Sequence, residues 1–102
     1  MYLDTDLRNM IKSSAKAAKI LKALAHEHRL LMLCFIGKEE KSVHEIETFL
    51  GISQSSVSQQ LGKLKDKGIV SARRDGKNIY YSLRDKQATL FIESLHKIFC
   101  SS

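Results

Sequence analysis

The sequence predicts a mainly α-helical domain with one small β-hairpin, its elements ordered α-α-α-α-β-β-α. Three observations predict it. Before Gly68, apolar residues recur at helical spacing in four segments, bounded by cap and stop residues. After Gly68 the period falls to two, on both sides of R-D-G-K-N. From Asp85 the helical period returns.

Each element has its own signals. Asp4 or Thr5 can cap a first helix running to about Leu24, with Leu7, Ile11, Ala15, Ala18 and Leu21 as its apolar positions. A second helix begins near His26 and stops at Gly37. Its centre, L-L-M-L-C-F-I, is apolar nearly all round, as suits a helix buried in the middle of a small domain. The polar K-E-E-K reads as a loop. Ser42 and Glu45 form a capping-box pattern that opens a third helix, with Val43, Ile46, Phe49 and Leu50 on its apolar face. Gly51 is a natural left-handed stop.

Only Ile52 separates that stop from Ser53, the cap of a fourth helix. Val57, Leu61 and Leu64 form its buried stripe, while Gln54, Ser55, Ser58 and Gln59 crowd another face with hydrogen-bonding groups. A short helix, a glycine turn and a second helix make a helix-turn-helix. In the hairpin, Val70 and Ala72 alternate with Ser71 and Arg73. Ile79, Tyr81 and Leu83 alternate with Tyr80 and Ser82 across an Asp-Gly turn signal. This makes a wing with a basic tip: Arg73, Arg74 and Lys77. The last helix runs from Asp85 to about Cys100, with Ala88, Phe91, Ile92, Leu95, Ile98 and Phe99 on its apolar face.

The chain of 102 residues is expected to form one domain, residues 1–102, with a modest core. The first and last helices then carry apolar surface that so small a head does not cover, and a homodimer built on these terminal helices would bury it. No apolar run approaches the ~20 residues of a membrane helix. The start, M-Y-L-D-T-D, lacks a signal-peptide pattern, so no membrane association and a cytoplasmic location are expected.

The net charge is +6, unevenly spread. Residues 53–84 hold seven Lys/Arg against two Asp, and residues 1–25 hold five against two. Residues 26–52 are net acidic, with three Lys/Arg against five Glu. A basic surface beside a Ser/Gln face points to double-stranded DNA, read in the major groove by Gln54, Ser55, Ser58 and Gln59. Arg73, Arg74 and Lys77 are placed for phosphates or the adjacent minor groove. A dimer would meet a palindromic operator. No phosphate loop, paired-carboxylate motif or Ser/His/Asp arrangement occurs, so no enzyme activity, catalytic residue or cofactor is expected.

Three separated runs, L-K-A-L-A-H-E-H-R-L-L-M-L, S-Q-S-S-V-S-Q-Q-L-G-K-L and G-K-N-I-Y-Y-S-L, together resemble the ArsR/SmtB winged helix-turn-helix repressors, over about residues 15–100. The resemblance implies a dimeric regulator responsive to a small ligand or to redox chemistry. By the placement of its two cysteines, the chain is most similar to the HlyU, BigR and SqrR group. The family's base contacts fall on the same Gln54, Ser55, Ser58 and Gln59. Where some members carry histidine, this helix has Gln59 and Gln60.

Many members of this family sense metals, yet the ligands are missing here. The third helix, V-H-E-I-E-T-F-L, has no cysteine, and the last helix opens Asp85-Lys86-Gln87 where the family's other site needs Asp-x-His. No metal ligand is therefore assigned. Cys34 and Cys100 lie 66 residues apart. Taken alone, Cys34 reads more readily as core filling than as a sensor. The resemblance implies instead that Cys34 and Cys100 are the sensor, joined by a disulfide or a bridging sulfur chain. A metal-responsive or ligand-independent regulator, and an activator that displaces a silencer, stand as alternatives.

Overall fold

A computed structural model describes residues 3–100. Its elements are α1 (Asp4–Leu24), α2 (Glu27–Ile36), β1 (Lys41–Ser42), α3 (Val43–Leu50), α4 (Gln54–Asp66), β2 (Val70–Asp75), β3 (Asn78–Leu83) and α5 (Lys86–Phe99). The expected order is present, with one addition. Lys41, placed in a polar loop by the sequence, joins Ser42 as a short strand paired antiparallel with β3. The hairpin thus becomes a three-stranded sheet, β1-β3-β2. Two residues are too few to show a period, so nothing local could announce β1.

The caps explain the element boundaries. Ser42 Oγ accepts the Glu45 N–H at 3.0 Å while Glu45 Oε1 accepts the Ser42 N–H at 3.0 Å, closing the capping box. The Ser42 N–H first, and the Ser42 hydroxyl after it, hold the Glu45 carboxyl below its ordinary range. Gly51 ends α3 at φ 69°, a conformation that favours glycine. The wing turns at Gly76-Lys77 between the paired Asp75 and Asn78. Gly76 has φ 62° and no non-glycine residue among the described residues has positive φ, the pattern of a type II′ hairpin turn. At α1 the cap differs from expectation: Leu3 occupies that position, and its N–H donates to Asp6 Oδ2 at 3.4 Å.

The core gathers Met32, Leu33 and Ile36 of α2, Ile46 of α3, and Val57, Leu61 and Leu64 of α4, all fully buried. Ile69, Val70 and Tyr81 close it from the sheet, and Ala88 and Ile92 from α5. Two expectations change here. Helix α2 is not buried all round, for Leu31 and Cys34 face solvent. In α1 the expected stripe of Leu7, Ile11, Ala15, Ala18 and Leu21 is exposed, and only Ile20, Ala23 and Leu24 reach the core. A helix of 21 residues is about 31 Å long at 1.5 Å per residue, so its early turns project past a head this small. The longest dimension of the molecule is 51 Å. No helix among the described residues is long and apolar enough to cross a membrane.

An ion pair staples the two terminal helices together. Lys16 Nζ of α1 lies 3.2 Å from Asp85 Oδ2 and donates to Gln87 Oε1 at 2.7 Å. Asp85 also caps α5, accepting the Ala88 N–H at 2.9 Å. That backbone bond first, and Lys16 after it, hold the Asp85 carboxyl below its ordinary range. A carboxylate with a depressed folded pKa stabilises the fold above its unfolded pKa. The contribution is lost as the pH falls through the folded value. Asp85→Ala is expected to destabilise the fold by about 1 kcal/mol, the usual cost of a lost N-cap. Asp85→Asn keeps a capping oxygen but not the charge, so its stability should change less between pH 7 and the acid limb below about pH 4. Thermal unfolding of both variants across pH checks this.

Candidate nucleic-acid interface and thiol pair

Helix α4 presents one side to the core and the other to solvent. With Val57, Leu61 and Leu64 buried, Gln54, Ser55, Ser58 and Gln59 are all exposed. At 100° per residue these four fall within an arc of about 140°. Ser53 Oγ accepts the Ser56 N–H at 3.2 Å and lies 3.3 Å from Ser55 Oγ. Ser53 is therefore the cap, and Ser55 keeps hydrogen-bonding capacity for a partner beyond the helix whichever of the two hydroxyls donates. Gly62 lies in the middle of the same arc, one turn on. A Cβ there would meet nothing within 4 Å, so no packing demand explains it. The signal in the sequence was a glycine inside a helix, at a cost of about 1 kcal/mol relative to alanine.

The wing brings its basic residues to one end but not to one face. Strand alternation sends Arg73 and Arg74 to opposite faces, Arg73 opposite Tyr80 and Arg74 opposite Ile79. Arg74 and Lys77 are exposed. Arg73 is already engaged: its Nε donates to Glu40 Oε2 at 3.2 Å and its Nη2 to Glu40 Oε1. Its guanidinium lies 4.8 Å from the Tyr80 ring centre, and its Nη1 lies 3.9 Å from Asp75 Oδ2. Glu40 was not singled out in the sequence, because its role depends on β1 being a strand.

Cys34 lies exposed on α2, not in the core, which removes core filling as its explanation. Cys100 is exposed at the C-terminal cap of α5. Partial burial pushes the Cys34 thiol up, and the charge of Cys100 pushes it further. The fold thus brings two thiols that lie 66 residues apart in the sequence within electrostatic reach. Among the described residues, no three His, Cys, Asp or Glu side chains gather as metal ligands.

A helix-turn-helix with an exposed Ser/Gln arc, flanked by a basic hairpin, defines a winged helix-turn-helix DNA reader. Comparison with known proteins agrees. Residues 26–72 match the family model of bacterial regulatory proteins of the arsR family. The biofilm growth-associated repressor of Agrobacterium fabrum is 45% identical over 90% of this chain and 79% of its own. The transcriptional activator HlyU of Vibrio cholerae is 39% identical over 95% of this chain and 90% of its own. The solved structure of reduced HlyU from that organism superposes with a TM-score of 0.87, covering 92% of this chain and 99% of its own. The transcriptional repressor BigR of Xylella fastidiosa superposes with a TM-score of 0.85 at 40% identity, covering 93% and 97%. The chain belongs to the ArsR family and is a DNA-binding transcriptional regulator of the HlyU and BigR type.

Proposed function

We propose that this regulator works as a homodimer whose affinity for a palindromic operator is switched by oxidation or sulfuration of Cys34 and Cys100. The observation that carries the proposal is the pair itself: two exposed thiols, far apart in sequence, close enough for one to raise the other's pKa. The asymmetry sets their roles. The raised pKa makes Cys34 the poorer nucleophile, so Cys100 attacks first. With a peroxide, the Cys100 thiolate takes one oxygen and becomes a sulfenic acid, and the peroxide leaves as water or alcohol. The Cys34 sulfur then displaces hydroxide as a second water, leaving a disulfide. With a persulfide donor, sulfane sulfur passes to Cys100 and the donor leaves as a thiol. A further oxidising equivalent, from more persulfide or from peroxide, closes the bridge through Cys34. HlyU of Vibrio cholerae has been solved in a reduced form, which makes the redox state a variable in that relative.

The dimer rests on apolar surface. Leu7, Met10, Ile11 and Leu21 of α1 and Leu90, Ile98 and Phe99 of α5 are all roughly half exposed or more. A groove of about 660 Å3 between these helices is lined by Met10, Ala17, Ile20, Leu90 and Phe91, among others. Monomeric soluble proteins rarely leave so much contiguous apolar surface open, and a second copy of the same helices fits it. Within the dimer, Gln54, Ser55, Ser58 and Gln59 read base edges, with Gly62 admitting close approach. Arg74 and Lys77 meet phosphates. Bridging Cys34 to Cys100 ties α2 to α5 next to the interface and shifts the spacing of the two reading helices.

The chemistry is tested by intact-mass and peptide mapping after peroxide or persulfide treatment. The expected product is an intramolecular Cys34–Cys100 cross-link: loss of two hydrogen atoms, or the same with sulfur atoms added. Independent blocking of the two cysteines, or cross-links only between chains, contradicts it.

A further inference from the structure

We infer that Arg73 is the anchor of the wing and not one of its DNA contacts, with Glu40 as its partner and Tyr80 as its seat. The three residues share one face of the sheet. β3 lies between β1 and β2. Arg73 stands opposite Tyr80 in one register, and Tyr80 stands opposite Ser42 in the other. Alternation returns Glu40, two residues before Ser42, to that same face. The guanidinium therefore lies over the Tyr80 ring, 4.8 Å from its centre, and closes with both forks on Glu40 beyond it. Bonding to Arg73, first by hydrogen bonds and then by charge, keeps the Glu40 carboxyl below its ordinary range. One strap thus joins β2 and β3 to the residue just before β1.

The strap answers a mechanical need. Residues 72–78 are exposed throughout, so the wing stands clear of the core. A two-stranded hairpin holds poorly in water without further packing. The strap ties its middle rung, Arg73 with Tyr80, to the loop that leaves α2. It also commits the guanidinium's bidentate edge, the geometry best suited to a phosphate, to a carboxylate. Among the described residues no ion pair engages Arg74 or Lys77, and these remain for the nucleic acid.

The inference rests on the wing's assignment to DNA, and the experiment separates the two. Binding is titrated against salt on a fluorescent duplex selected from a random library by the reduced protein. Arg74→Ala and Lys77→Ala should each reduce the slope of log affinity against log salt by about 1.8, the signature of one lost phosphate contact in each subunit of the dimer. Arg73→Ala should leave that slope unchanged while weakening binding roughly two- to fivefold, the scale of an exposed ion pair of good geometry. Arg73→Lys should behave as Arg73→Ala, since an ammonium cannot make the two-pronged pairing. The exchange Glu40→Arg with Arg73→Glu should restore much of the binding that Arg73→Glu alone removes, because the strap is rebuilt in reverse. A glutamate cannot replace a phosphate ligand. The inference is overturned if Arg73→Ala lowers the slope by about 1.8 and Arg73→Lys binds as the wild type does. It is also overturned if the exchange variant binds no better than Arg73→Glu. If Arg74→Ala and Lys77→Ala leave the slope untouched as well, the wing does not meet DNA, and the anchoring role falls with that assignment.

Discussion

Ile11→Asp should yield a folded monomer that binds duplex DNA at least about a hundredfold more weakly than the wild type. Ile11 is 73% exposed on α1 and lies outside the core, so the fold itself has little to lose. In a dimer through α1 and α5 the same position becomes apolar contact. An unpaired carboxylate buried there is strongly unfavourable. Losing the dimer removes the second half-site, and with it the effective concentration that multiplies two weak contacts into one strong one. Sedimentation should show the wild type at twice the 11.6 kDa chain mass and the variant at that mass, with unchanged circular dichroism. A variant that stays dimeric, or a wild type that binds its duplex as a monomer, contradicts the assembly proposed here.

Gln54→Ala and Gln59→Ala have the next largest expected effects. An amide paired with an adenine edge is worth about 1–3 kcal/mol of discrimination. Each variant should therefore weaken the selected duplex and flatten the preference at one base pair per half-site. The salt slope should not change, because no phosphate contact is lost. Thermal stability should not change either, since both side chains are exposed and make no capping bond. If either variant binds random and selected duplexes in the wild-type ratio, that glutamine does not read sequence.

The elements with strong local signals were legible from the sequence. Ser42 with Glu45, Gly51, Ser53 and Asp85 each set an element boundary through backbone chemistry a few residues long, and the structure forms each of these caps. The stripe Val57, Leu61 and Leu64 was legible for a similar reason, since one helix face is set by spacing alone. What escaped was tertiary. β1 exists only because β3 pairs with it, and Glu40 matters only because that pairing sets the residue just before β1 beside Arg73. Lys16 and Asp85 meet although nearly the whole chain separates them. The apolar stripe of α1 was correctly read as apolar, but which side of it meets the core depends on how far the helix projects. Cys34 shows the same limit in reverse. An apolar run suggested burial, while its place on the outer face of α2 exposes it.

The central claim is that the state of Cys34 and Cys100 sets the affinity for DNA. It is tested most directly by titrating the selected duplex with reduced and persulfide-treated protein, beside the Cys34→Ser/Cys100→Ser variant. Treatment of the wild type should weaken binding by roughly 5- to 150-fold, the span of ordinary allosteric couplings, and fresh reductant should restore it. The double variant should bind like the reduced wild type before and after treatment. A double variant that still loses affinity on treatment, or a cross-linked wild type that binds as tightly as the reduced one, contradicts the claim.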